Sequence, residues 1–553
     1  MSKKKSNDTS FLVQGSILAV ASLVSRVIGL VYRIPLTAII GEYGNDYYSC
    51  AYEIYSLLLL ISSYSLPMAV SKMVSVRMAK GEKRNAYRVF KGAMVIAAFT
   101  GTAACLVVFF GAGFLTRLFK TPMGVFALQV LAPTLIIVAI LGVIRGFFQG
   151  MGTMVPSAVS QIIEQIINAI VSVGAAYILF GYGTRISSVL GGNQHYDAAY
   201  GAAGGTLGTS AGALCGLAFI LFVLSAFLPQ MKKAMRREKK MGKTKVEPYR
   251  VIFRILIMTI IPVLLSTTIY NLVSITDQWL FKNIAAMQKY AEDQISLWWG
   301  NYSGYYRVLT NVPISISTAL AASCVPALSA AFAQKDSEQV KRKIGLSMRF
   351  IMVVAMPCTA GIMVLADPII QLLFPGAGAL AGHLLQAGGI SIIFYSISTL
   401  SNSVLQGIDR MRIPVRNAII ALIVHAVILA AAMVGLDLKI YAVCVGTVVF
   451  SLIMCILNGI SVKRYSGFTP NIVKTFVKPA AASVIMGVIV YLVYYISYKL
   501  VKHNAVCTIL SILVGIFTYA VALLLIKGLT EEELKSFPKG ALLIWVAKKL
   551  HLL

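Results

Sequence analysis

"FLVQGSILAVASLVSRVIGLVYRIPLTAII" occupies residues 11–40. It is long enough to cross a bilayer, for which about 20 apolar residues suffice. Yet it carries Arg26 and Arg33, seven residues apart. Thirteen further apolar stretches follow, at 47–79, 90–117, 124–149, 155–181, 204–230, 252–282, 302–334, 345–367, 378–407, 414–435, 440–462, 476–498 and 506–527. The 553 residues are 58% hydrophobic and 12% charged. That balance excludes an ordinary soluble domain and indicates a polytopic membrane protein. Backbone groups in hydrocarbon must bond within their own segment, so each stretch is expected to be a helix. The short alternating strands of a barrel are absent. The expected fold is all-α, with about fourteen transmembrane helices.

The net charge of +29 invites a nucleic-acid partner, but its distribution excludes one. With Lys3, Lys4 and Lys5 in the cytoplasm and sides alternating, the Lys and Arg between spans fall mostly inside, 29 against 6 outside. This is the positive-inside bias, and it places both termini in the cytoplasm. The basic run "KKAMRREKKMGKTK" (232–245) then faces anionic headgroups. The eight cysteines are scattered singly without CxxC spacing, so neither metal nor disulfide chemistry is expected. "AVA" (19–21) offers a small-residue cleavage site, but the apolar stretch runs on past it, as a span does and a signal peptide does not.

A faint internal repeat divides the chain. "FFQGMGTMVPSAVSQII" (147–163) resembles "VLQGIDRMRIPVRNAII" (404–420), and "PMAVSKMVSVRMAKGEKR" (67–84) resembles "PALSAAFAQKDSEQVKRK" (326–343) at nearly the same offset. Two parallel six-helix bundles are therefore expected: an N-lobe over 1–231 and a C-lobe over 251–465, joined by a basic linker at 232–250. Parallel repeats of this kind occur in secondary transporters, which rock one half against the other. Helices 13 and 14 (466–527) have no copy. The tail (528–553) has Thr530 and Glu533 at capping-box spacing. An amphipathic stretch with Trp545, Lys548 and Lys549 follows it, fit to lie at the cytoplasmic interface.

Charges inside spans are costly and usually face a cavity or a partner. Arg26 and Arg33 share one helix face. Glu53, Lys72, Arg145 and Arg307 add to the set of charges within spans, and Glu53 can balance an arginine. Gln161, Glu164, Gln165 and Asn168 form a polar stripe at i, i+3, i+4 and i+7, which is absent from the repeat partner in span 11. The stripe reads either as a functional surface or as polar glue between helices. Arginine clusters match phosphate geometry through paired donors. A cationic cavity in an apolar bundle suits an anionic headgroup on a lipid tail. No nucleophile elbow, Walker loop, HExxH or cofactor motif appears, so an enzyme is not expected. With no ATPase domain either, transport would draw on an ion gradient or the membrane potential.

"SRVIGLVYRIPLTAIIG" (25–41), "LPMAVSKMVS" (66–75), "FFQGMGTMVPSAVSQIIEQ" (147–165), "NVPISISTALAASCVPALSAAFA" (311–333) and "LTEEELKSFPKG" (529–540) resemble one particular branch of bacterial membrane proteins. This is the stage V sporulation protein B and YtgP branch of the MurJ-like lipid II flippases, in the multidrug/oligosaccharidyl-lipid/polysaccharide exporter superfamily. The resemblance covers essentially the whole chain. It implies a fourteen-helix flippase that carries an undecaprenyl-diphosphate-linked cell-wall precursor to the outer leaflet by alternating access. It further implies that Arg26, Arg33 and Arg307 bind the cargo. The family's helix 2 arginine has no match here, and Lys72 stands nearest to that role. Spans 476–498 and 506–527 correspond to the family's groove for the polyprenyl tail. A monomer is expected, with the lipid-linked substrate, the bilayer and cell-wall synthesis machinery as partners. The rival functions are a flippase for another lipid-linked polysaccharide, a drug or cation antiporter, and a non-transporting scaffold.

Overall fold

A computed structural model describes residues 2–191, 195–241 and 246–528. The amphipathic tail, from 529 onward, and residues 242–245 of the basic run lie outside the described residues. Every regular element described is helical. Among the described residues, eleven helices are long and apolar enough to cross a membrane, or twelve if a pair bent by 50° counts as one span, against an expectation of about fourteen.

The first compact unit, Met1–Gly300, holds α1 (Ser2–Leu59), α2 (Leu66–Ala79), α3 (Lys83–Leu118), α4 (Val125–Gly150), α5 (Val155–Val189), α6 (Tyr196–Lys240), α7 (Tyr249–Met287) and α8 (Glu292–Gly300). Part of the difference in span number lies in α1 and α2, because the run Val20–Ala79 is one helical stretch where the sequence reads two spans. Within it Gly41 has φ 65° and ψ −169°, a conformation that only glycine reaches cheaply. A straight helix would set Arg33 and Tyr48 about 22 Å apart. The Arg33 guanidinium instead lies 4.0 Å from the Tyr48 ring centre, so the chain folds back at Gly41. Asn45 secures the turn, its side-chain amide donating to the carbonyls of Gly41 (2.7 Å) and Thr37 (3.2 Å). α7 covers the seventh expected span, and the side chains of 262–270 within it lie outside the described residues. The first nine residues of the basic linker are helix, since α6 continues to Lys240.

α6 and α5 pack closely along Gly204, Gly208 and Gly212, spaced four apart on one face of α6. A Cβ on Gly208 would lie 2.1 Å from Ser172 Oγ and 2.4 Å from Ser172 N. Small residues of this kind let backbones approach where lipid supplies no hydrophobic drive between helices. Gly208→Ala is therefore expected to destabilise the protein by about 1–3 kcal/mol, as overpacking does. Gly174→Ala on α5, where a Cβ would meet nothing within 4 Å, is the control. It should be neutral or stabilise by up to about 1 kcal/mol. Thermal unfolding of both variants in detergent checks the pair.

Two apolar clusters fill this unit, one around Val70, Phe90, Phe147 and Leu224, the other around Leu36, Tyr48, Leu128 and Leu131. Phe99, Phe110 and Phe114 of α3 are 75%, 79% and 73% exposed, as side chains facing lipid are.

The second compact unit, Asn301–Leu553, holds α9 (Arg307–Ala333), α10 (Ser337–Val364), α11 (Ala366–Leu373), α12 (Ala379–Gly388), α13 (Ser391–Gly407), α14 (Arg412–Leu436), α15 (Tyr441–Ser466), α16 (Lys478–Val501) and α17 (Asn504–Leu525). α12 and α13 are the bent pair. α13 packs on α9 and α15, α10 on α9 and α16, and α16 on α17. A buried amide chain links three helices: Asn417 donates to Asn458 Oδ1 (2.9 Å), and Asn458 donates to Asn402 Oδ1 (2.7 Å). Appended helices α16 and α17 meet at Gly515, where a Cβ would lie 2.7 Å from Val490.

Candidate functional site

The polar stripe of α5 lies along the arginine-bearing part of α1. Ser22 Oγ donates to Gln161 Oε1 (3.2 Å), and Ser25 Oγ lies 3.5 Å from the Gln161 carbonyl. Gln165 Nε2 sits 3.0 Å from where a Gly29 Cβ would be. Asn168 Nδ2 donates to Tyr32 Oη (3.3 Å), while its Oδ1 accepts from Ser172 Oγ (2.9 Å). Residues 22, 25, 29 and 32 are themselves one face of α1. Gln161, Gln165 and Asn168 thus form a polar seam between two helices.

Glu164 is engaged differently. Its Oε2 lies 2.7 Å from Arg145 Nη2, and Arg145 Nε donates to Ser160 Oγ (2.9 Å). Both side chains are partly open, 26% exposed for Glu164 and 18% for Arg145. A half-buried charge on α4 is thereby balanced by one on α5.

Arg26 and Arg33 each follow a seam residue by one position, about 100° around the helix. Arg26 is exposed beside the seam. Arg33 is half-buried over Tyr48, and Tyr48, Tyr52 and Tyr55 continue as a ladder of rings, with centres 5.8 and 5.9 Å apart. A guanidinium on an aromatic face keeps its N–H edge available for an anion. Glu53 is half-buried on the same returning helix. Lys72 is exposed on α2, and among the described residues no hydrogen bond or ion pair joins it to the Arg145–Glu164 pair. Arg307 belongs to the second unit, where it opens α9 half-buried after a π-helical turn, and Thr310 Oγ1 lies 3.4 Å from its carbonyl. The structure thus brings together Gln161, Gln165 and Asn168 with α1, Arg145 with Glu164, and Arg33 with Tyr48.

A second charged centre escaped the sequence reading. Asp46 and Lys282 form an ion pair with side-chain exposures of 1% and 0%. Lys282 Nζ also lies 2.5 Å from Thr121 Oγ1, and Ser296 Oγ donates to Asp46 Oδ2 (2.6 Å). α8 is held against α1 nearby, where Trp299 Nε1 donates to Ser49 Oγ (2.9 Å). Asp46 borders a cavity of about 220 Å³ whose walls include Lys120, His195, Glu292 and Asp293. The His195 ring stacks on Tyr43 at 3.7 Å. In sequence Asp46 sits between spans and Lys282 at a span end, both ordinary places for a charge. Among the described residues no group of His, Cys, Asp and Glu could hold a metal ion.

Known proteins resemble this chain along most of its length. The polysaccharide biosynthesis protein family matches residues 12–332, and a second family of the same description matches 295–377. The lipid II flippase MurJ of Bacillus subtilis (strain 168) is 26% identical over 519 residues, covering 89% of this chain and 91% of its own. Stage V sporulation protein B of the same organism is 25% identical over 541 residues, covering 96% and 98%. Among solved structures, MurJ in an inward closed conformation superposes with a TM-score of 0.62 at 17% identity, over 91% of this chain and 97% of that one. An inward-facing multidrug resistance MATE family transporter gives 0.61 at 14% identity, over 79% and 94%.

The helical fold is that of these two solved structures, and the chain is a multi-pass bacterial membrane protein and not an enzyme. The chain belongs to the polysaccharide biosynthesis protein family, and along most of its length it is similar to MurJ and to stage V sporulation protein B.

Proposed function

We propose that this chain is a flippase that moves an undecaprenyl-diphosphate-linked cell-wall precursor, lipid II in particular, from the inner to the outer leaflet by alternating access. A carrier of lipid-linked sugars is supported by the family and by the name of one relative that matches along most of both chains, lipid II flippase MurJ. The observation that carries the reading is Arg33, seated on Tyr48 with Arg26 exposed on the same helix. Two guanidinium groups suit a diphosphate, which each can grip through paired donors. An ion gradient or the membrane potential would drive the cycle, since each charge crossing the membrane is worth about 2.3 kcal/mol per 100 mV. The protein would act as a monomer in the plasma membrane alongside the cell-wall synthesis machinery, with both termini in the cytoplasm.

Another lipid-linked polysaccharide precursor fits the same arginines. An antiporter is the second reading, because the MATE and MurJ folds superpose almost equally well. MurJ's wider cover of the chain, 91% against 79%, supports the flippase. The test is depletion in a cell that has no other flippase, with outer-leaflet lipid II measured by surface labelling. Lipid II is expected to accumulate in the inner leaflet. Unchanged surface lipid II sinks that cargo, and changed drug susceptibility with unchanged wall precursors would favour the antiporter.

A further inference from the structure

At the end of the first unit that the charge bias assigns to the cytoplasm, there is a cavity of about 850 Å³. That lies within the usual size of ligand pockets, about 300–1,000 Å³. Its walls are the α2–α3 turn, the last three turns of α6 and the residues just before α7. Four cations line it: Lys80 from the turn, Lys83 from the start of α3, and Lys233 and Arg237 from α6.

Each acid of this pocket accepts a hydrogen bond, and Glu247 is paired with a cation. Arg77 grips Glu247 Oε2 through Nη2 (2.5 Å) and Nε (3.1 Å). Glu238 Oε2 accepts from the Arg84 backbone N–H (3.0 Å), and Glu82 Oε2 accepts from Asn85 Nδ2 (3.1 Å). The backbone N–H of Glu247 donates in turn to Asn85 Oδ1 (3.1 Å), strapping the segment before α7 onto the turn. Among the described residues, Lys80, Lys83, Lys233 and Arg237 have no acidic partner. Lys233 and Arg237 are also like charges at i, i+4, an arrangement that costs stability unless an anion relieves it.

Of the six cations between 232 and 240 on α6, Lys233 and Arg237 line the cavity. Positions 230, 233, 234, 237, 238 and 241 turn towards the cavity, at i, i+3, i+4, i+7, i+8 and i+11. Lys232, Arg236, Lys239 and Lys240 do not line it.

We infer that this pocket is a binding site for a phosphate-bearing anion, separate from the arginines of α1. The ligand is either the headgroup of an anionic lipid or a soluble phosphate compound, and both present the same oxygens to the four cations.

The test uses the full chain in nanodiscs of pure phosphatidylcholine, with inorganic pyrophosphate as the probe and calorimetry as the readout. Pyrophosphate should bind the unaltered protein. The variant carrying Lys80→Gln, Lys83→Gln, Lys233→Gln and Arg237→Gln should bind about tenfold more weakly or worse. A control carrying Lys232→Gln, Arg236→Gln, Lys239→Gln and Lys240→Gln loses the same charge from the same end and should stay within about twofold of the unaltered protein. No binding, or an equal fall in both variants, would overturn the site in favour of a diffuse positive field. The source is read by adding phosphatidylglycerol to the nanodisc. Weaker pyrophosphate binding to the unaltered protein alone identifies a lipid headgroup, and unchanged binding identifies a soluble phosphate.

Discussion

Lys282→Met is expected to destabilise the first unit by about 3–5 kcal/mol, the typical cost of removing one partner of a buried ion pair. The Asp46 side chain is 1% exposed, so water cannot take the place of the ammonium group. Ser296 would still donate one hydrogen bond, which does not neutralise a carboxylate in a low-dielectric interior. The substitution keeps nearly the same volume, so a packing defect contributes little. The double variant Asp46→Asn, Lys282→Met separates charge from shape. It should recover most of the loss, because deleting both charges of a buried pair is often close to neutral. Thermal unfolding in detergent of the unaltered protein, both single variants and the double variant closes the cycle. A Lys282→Met protein that melts with the unaltered one would mean that the pair holds nothing.

What could be read in advance follows the range of each interaction. The helices and the stripe at 161, 164, 165 and 168 were legible because they depend on periodicity within one segment. The stripe's partners were not, since Ser22 meets Gln161 across 139 positions. Seen alone, its one-sidedness suits a cavity wall as well as a helix seam. The Asp46–Lys282 pair spans 236 positions and joins two charges in unremarkable places, so no local pattern marks it. The fold-back at Gly41 was legible as a break between 40 and 47, but its consequence, Arg33 lying on Tyr48, needed the turn's geometry. One available signal went unused. Gly204, Gly208, Gly212 and Gly216 recur every fourth residue on α6, a contact pattern visible in sequence. That face holds α5 in place, and with it Glu164.

Arg33→Ala tests the proposed cargo contact, and transport is expected to fall sharply while the protein remains folded. Truncating one member of a desolvated, hydrogen-bonded charge contact costs about 2–5 kcal/mol. That corresponds to a roughly 30-fold to several-thousandfold drop. The fold should survive, because Arg33 is half-buried and its described contact is the face of Tyr48. Arg33→Lys discriminates further. It keeps the charge but loses the planar group that both stacks and presents two parallel donors. If the guanidinium grips a diphosphate, Lys should restore only a fraction of activity. If Arg33 supplies only a positive field, Lys should restore nearly all of it. Tyr48→Leu removes the platform and leaves the charge, so it should resemble Arg33→Lys more than Arg33→Ala. Arg26→Ala should act in the same direction, since its exposed side chain is the next cation along the helix. The measurement is outer-leaflet lipid II in a strain that depends on this chain, normalised to protein in the membrane. Normal transport by Arg33→Ala would return the arginine to a structural role and take the diphosphate contact with it.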